Sequence, residues 1–266
     1  MGELLHTQLL RRADLVAGKI PSWGLTAFKA FERDLLSKET PFPCIFGVEA
    51  LKKDGLRYLF VEDHSESGWM QLRNGLLQYT EIFRRLGRMT SLAVFFKPYH
   101  QELTVEQYQR KFWSVLQFLH EHDPKPWPEE IPADWDDPLW EFCFNGEPIF
   151  VVCNTPAHIK RRSRHSATFM ITFQPRWVFE ELQGPKGEKG REAVRRRLVK
   201  YDEVDVHPAM GVYGDPKNRE WKQYYITDSN ESPSRCPFRF LHGLLRSKDK
   251  NLHDGGKESN SDEYDF

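Results

Sequence analysis

Two short apolar runs constrain this chain most. Trp140, Glu141, Phe142, Cys143 and Phe144 are separated from Pro148, Ile149, Phe150, Val151 and Val152 by a turn containing Asn145-Gly146. A type I′ turn needs positive φ at both central residues, which Asn and Gly tolerate, so a β-hairpin is expected over 140–152. Further strands are expected over 56–61, 92–96 and 168–173, where β-branched and aromatic residues cluster. Helical spacing places Leu25, Phe28, Phe31, Leu35 and Leu36 on a helix that stops before the prolines at 41 and 43. Shorter helices are expected after Cys44 and over 76–87 and 190–200. The strongest helix pattern spans 104–122. Thr104 and Gln107 are spaced as a capping box, and Tyr108, Phe112, Val115, Leu116 and Leu119 form one apolar face. Strands and helices mix without regular alternation, so the expected fold is α+β: a single domain with a central sheet flanked by helices.

Composition narrows the classes. With 39 % hydrophobic and 14 % aromatic residues, a sizeable core is within reach and wholesale disorder is excluded. Lys plus Arg (38) and Asp plus Glu (39) balance, which counts against a general polyanion binder. No apolar run approaches the roughly 20 residues of a membrane span. The opening stretch has charges within its apolar residues and lacks a small-residue cleavage site, making it a poor signal peptide. Four cysteines in 266 residues are not a disulfide scaffold. A soluble protein of the reducing cytoplasm is the expectation. Residues 1–24 read as an N-terminal extension and 247–266 as a charged, disordered tail. The segment 123–139 holds five prolines and two tryptophans, and reads as a stiff loop that packs its Trp127 and Trp135.

Several residues bear chemistry. Cys44 stands at an expected helix start, where backbone N–H groups and the helix dipole favour thiolate. Such a thiolate binds metal or haem iron or acts as a nucleophile; the alternative is a buried, inert thiol. His158 can ligate iron through a neutral imidazole. Beside it, Arg161, Arg162 and Arg164 offer planar forks for carboxylates or phosphates, and Arg176 adds a fourth after the 168–173 strand. The alternative for this segment is a solvated basic loop. Cys143 and Cys153 read as core, and Cys236 as a loop thiol. There is no CxxC spacing for zinc, no Walker motif and no nucleophile elbow, and Gly184, Gly187 and Gly190 lack dinucleotide-site spacing.

The motifs 42–47 (Phe-Pro-Cys-Ile-Phe-Gly), 55–61, and Trp140 through Gly146, with Asp123, Trp127 and Pro128 ahead of the last, resemble the YqcI/YcgG family. So do His158 through Arg164, Phe173-Gln174-Pro175-Arg176 and Cys236-Pro237-Phe238, in the same order. That family includes haem-dependent N-hydroxylases of guanidino groups, of the arginine and pre-guanitoxin types. The resemblance therefore implies a haem b enzyme over residues 25–246, using dioxygen and an external electron donor on a small guanidine or amine. Arg161, Arg162, Arg164 and Arg176 would neutralise the haem propionates. His158 is the favoured axial ligand, because its loop holds the arginine cluster; Cys44 is the rival. Glu141 is the candidate carboxylate fork for a guanidinium substrate. The competing class is a non-enzymatic protein that binds haem, or captures an anion such as RNA through the basic loop and the Arg191–Arg197 helix. The neutral net charge counts against nucleic acid.

Overall fold

The computed structural model describes residues 9–18, 20–182 and 184–240; the expected tail at 247–266 lies outside them. Helices α1 (Arg12–Val16), α2 (Ser22–Leu36) and α3 (Ile45–Lys52) precede strand β1 (Leu56–Val61). Helix α4 (Glu66–Ile82) leads to β2 (Ser91–Phe96), and α5 (Val105–Glu121) follows. Strands β3 (Cys143–Phe144), β4 (Glu147–Asn154) and β5 (Met170–Pro175) then precede helices α6 (Gly184–Tyr201) and α7 (Trp221–Tyr224). The strands form one mixed sheet in the order β1-β2-β5-β4-β3, so the fold is α+β. β1 and β2 run parallel, with α4 as the crossover that a parallel pair needs. All other pairings are antiparallel.

The local expectations have physical counterparts. Asn145 and Gly146 adopt φ of 54° and 76°, as the hairpin turn requires. The first arm is shorter than expected, because only Cys143 and Phe144 pair with β4. Upstream, the Trp140 N–H is drawn to Asp137 O and the Phe142 N–H to Tyr224 Oη. Thr104 and Gln107 form the expected capping box, each side chain accepting the other's backbone N–H. Trp127 is packed, its indole donating to Ile131 O and its ring lying 6.1 Å from Trp140.

Strand alternation divides the sheet into two faces. Leu59, Val61, Leu92, Val94, Phe96, Val151, Cys153, Ile171 and Phe173 face one side and form the larger core with α4 and α5. Leu56, Tyr58, Phe60, Ala93, Phe95 and Met170 face the other and pack against α2 and α3. Leu10 exchanges backbone hydrogen bonds with Tyr58, and Leu15 is fully buried, so both join this second layer, while Leu9 packs into the larger core. Beside that layer, the same face of β4 and β5 floors a cavity. No helix among the described residues is long and apolar enough to cross a membrane.

Candidate functional site

The cavity offers about 220 Å³ of room to a water-sized molecule, and its mouth opens to solvent. Its floor is a run of sheet residues brought onto one face by register: Ala93 opposite Thr172, Val152 opposite Thr172, and Phe150 opposite Gln174. One wall is α2 with the start of α3, and another is α6 through Val194, Leu198 and Tyr201. Two arginines of α6 brace that wall by donating to backbone carbonyls, Arg195 to Met210 and Arg197 to Phe42. The basic helix face thus has a structural task. The remaining side is the segment from Arg162 to Ala167, whose first residues form a 3-10 turn.

Cys44 lies in the cavity wall as the N-cap of α3, and its sulfur accepts the Gly47 N–H at 3.3 Å. Burial raises the thiol's pKa, while the Gly47 and Phe46 N–H groups and the Arg164 charge oppose the rise. Arg162 and Arg164 line the same cavity. Arg164 is buried and donates to Tyr224 O and Gln223 O, and desolvation lowers its pKa to about 10. Arg162 is exposed and rests its guanidinium 5.0 Å over the Tyr201 ring. Three of the sequence candidates therefore meet at one place.

The other four lie elsewhere. His158 is buried, with Nδ1 2.8 Å from Thr155 Oγ1 and Nε2 2.8 Å from Ile226 O. A carbonyl only accepts, so Nε2 carries the proton and Nδ1 receives the threonine hydroxyl; both ring nitrogens are engaged. Arg161 spans toward residues 205–230, donating to Thr227 O, Asp205 O, Ser229 O and Asn230 Oδ1. With Asp228 accepting three backbone N–H groups from 159–161, these contacts fasten the loop. Glu141 is fully buried and forks Arg176 at 2.7 and 2.6 Å. Glu220 is the second carboxylate on Arg176, whose guanidinium stacks 3.9 Å over Tyr213. Burial raises the Glu141 pKa, opposed by Arg176. The substrate fork and a propionate partner expected from sequence are thus occupied by each other.

Burial lowers the His158 pKa from 6.5 to about 4. The unfolded chain therefore binds the extra proton between those values, and stability falls as pH drops through that window. The full difference is roughly 3 kcal/mol, at 1.36 kcal/mol per pKa unit. A His158→Gln variant should show a shallower loss of melting temperature between pH 6.5 and 4, read by thermal denaturation.

Sequence reasoning missed Asp34, Tyr201 and the role of His165, all of which line the cavity. A signal existed for Asp34: it follows Phe31 by three residues and borders the apolar stripe of α2. Tyr201 closes a helix whose outward face is dominated by arginines, so nothing marked it. Among the described residues, no three His, Cys, Asp or Glu side chains gather as a multidentate metal site. Haem iron asks less of a protein than such a site does, since one axial side chain suffices.

The chain is 42 % identical over 250 residues to the uncharacterized protein YqcI of Bacillus subtilis, covering 91 % of this chain and 98 % of that one. It is 41 % identical to YcgG of the same organism, over 85 % of this chain and 92 % of the other. It is also 36 % identical to a Streptomyces lavendulae protein provisionally named N(omega)-hydroxy-L-arginine synthase DcsA, over 79 % and 83 % of the two chains. No solved structure matches it significantly. The YqcI/YcgG family profile spans residues 31–239, from the helix that bears Asp34 through the segment that bears Cys236. With that span and these relatives, the chain belongs to the YqcI/YcgG family.

Proposed function

We propose that the protein is a haem-dependent oxygenase that N-hydroxylates the guanidino group of a small, arginine-like molecule. The observation that carries the reading is the meeting of Cys44, Arg162 and Arg164 in one cavity above a flat strand floor. The relative named for N-hydroxyarginine synthesis supports the reaction class.

The residues present fit a haem. Cys44 offers a sulfur that accepts the Gly47 N–H, a contact that a thiolate strengthens. Arg162 presents a guanidinium that no described carboxylate pairs, suited to a propionate at the mouth. Phe150, Val152, Ala93 and Met170 supply the apolar floor. Of the two candidates, Cys44 would hold the iron in preference to His158, whose nitrogens are both bonded. When bound, haem supplies dioxygen activation, with one oxygen atom entering the new N–O bond and the other leaving as water. An external donor provides the electrons. The chain's part is to hold the group, exclude water through the apolar floor and position the nitrogen. All four cysteines are free thiols, in keeping with a reducing, cytoplasmic setting.

The test is turnover. Haem-loaded protein, a chemical reductant, air and arginine should give a product one oxygen atom heavier, identified by mass spectrometry as the N-hydroxyguanidine. No oxygenated product from arginine or any simple guanidine, in protein that retains haem, would overturn the hydroxylase reading.

A further inference from the structure

A guanidinium is a planar cation that is best held by a carboxylate fork and an aromatic face. Glu141 is spent on Arg176, so the fork must come from another residue. Among the described residues lining the Cys44 cavity, Asp34 is the single carboxylate. It sits on α2, one residue before the buried Leu35 and three after Phe31, both of which also line the cavity. Its Oδ1 accepts from the adjacent, exposed Arg33 at 3.2 Å, and no described residue donates to Oδ2. An exposed pair between sequence neighbours is weak and readily displaced. Phe31, Phe42 and Tyr201 line the same cavity, and Phe42 packs edge-on against Tyr201 at 5.6 Å. Burial raises the Tyr201 phenol's pKa, and the Asp34 charge adds to the rise.

Resting on the function proposed above, we infer that Asp34 receives the substrate's guanidinium and selects a cationic side chain over a neutral isostere. The carboxylate forks the cation while the aromatic walls cover its face. The guanidinium is thereby held in the same cavity as Cys44, with its nitrogens fixed in orientation.

The experiment compares wild type, Asp34→Asn, Asp34→Glu and the control Glu32→Gln, each loaded with haem and titrated with arginine and with citrulline. Citrulline has nearly the same shape but a neutral ureido group. Binding is read by calorimetry and by perturbation of the haem absorption. Asp34→Asn should weaken arginine on the order of 10- to 100-fold, the range expected when a charge-assisted hydrogen bond is lost. Citrulline affinity should stay within about twofold, so the preference for arginine collapses; such a bound is small against the tenfold per 1.4 kcal/mol of binding. Asp34→Glu should retain part of the preference, and Glu32→Gln all of it. Arginine binding unchanged in Asp34→Asn, or an unchanged arginine-to-citrulline ratio, would overturn the assignment. Wild type that holds haem but binds no guanidine would overturn both this inference and the guanidine reading. Wild type without haem would remove the haem reading alone, because the calorimetric comparison still decides the role of Asp34.

Discussion

Arg176→Met should destabilise the protein by about 3–5 kcal/mol, the usual consequence of removing one partner from a buried ion pair. Two carboxylates depend on this guanidinium: Glu141, fully buried, and Glu220, 3 % exposed. Methionine fills similar volume but leaves both without a counter-ion. Against a total stability of about 5–15 kcal/mol, that loss lowers the melting temperature by roughly 10 °C or more. The pH dependence identifies the cause. Without Arg176, desolvation raises both carboxyls with their main opposing influence gone. A carboxyl whose folded pKa exceeds its unfolded value favours the folded state at low pH, and that advantage is lost as pH rises. The gap between variant and wild type should therefore narrow as pH falls from 8 toward 5, since the His158 loss is common to both. Adding Glu141→Gln to Arg176→Met should recover part of the stability at neutral pH. Denaturant unfolding across that pH range is the measurement; a gap that stays constant would assign the loss to packing instead.

The second large effect concerns haem retention. Serine is a better N-cap than cysteine, and its hydroxyl can accept the Gly47 N–H now held by the sulfur. Cys44→Ser should therefore keep α3 and the fold while removing the sulfur proposed to bind iron. Under the proposed ligation, the purified variant carries less than about one tenth of the wild-type haem, equivalent to at least 1.4 kcal/mol of lost affinity. His158→Gln should behave oppositely: it leaves Ile226 O or Thr155 poorly partnered and lowers stability, yet still loads haem. Pyridine haemochrome content, measured beside thermal stability, separates the two. Should Cys44→Ser retain full haem, His165 is the cavity-lining imidazole to replace next.

The contrast between Cys44 and His158 shows what the amino-acid sequence made legible. The hairpin turn, the capping box and the strands β1, β2 and β5 rest on local chemistry, and a single stretch of residues is enough to reveal each. Cys44 at the start of α3 belongs with them, because a proline-stiffened lead-in and an apolar helical run are adjacent in sequence. The partners of His158, Arg161 and Glu141 were not readable. Ile226 lies 68 residues from His158 and Thr227 lies 66 from Arg161, and both reach their positions only when the segment after α6 folds back across the sheet; Arg176 lies 35 residues beyond Glu141. A conspicuous arginine such as Arg176 looks equally available for a ligand or for a buried carboxylate; the fold supplies the carboxylates. Asp34 was overlooked for the opposite reason. An acid beside an apolar stripe looks like an ordinary helix edge until α6 and the 162–167 segment close a cavity over it.

The most direct test of the central claim is the absorption spectrum of the haem-loaded, dithionite-reduced protein under carbon monoxide. Ligation by Cys44 predicts the red-shifted Soret band of a thiolate-bound ferrous–CO haem, absent from Cys44→Ser. A Soret band at the shorter wavelength of histidine ligation, unchanged by Cys44→Ser, would contradict it.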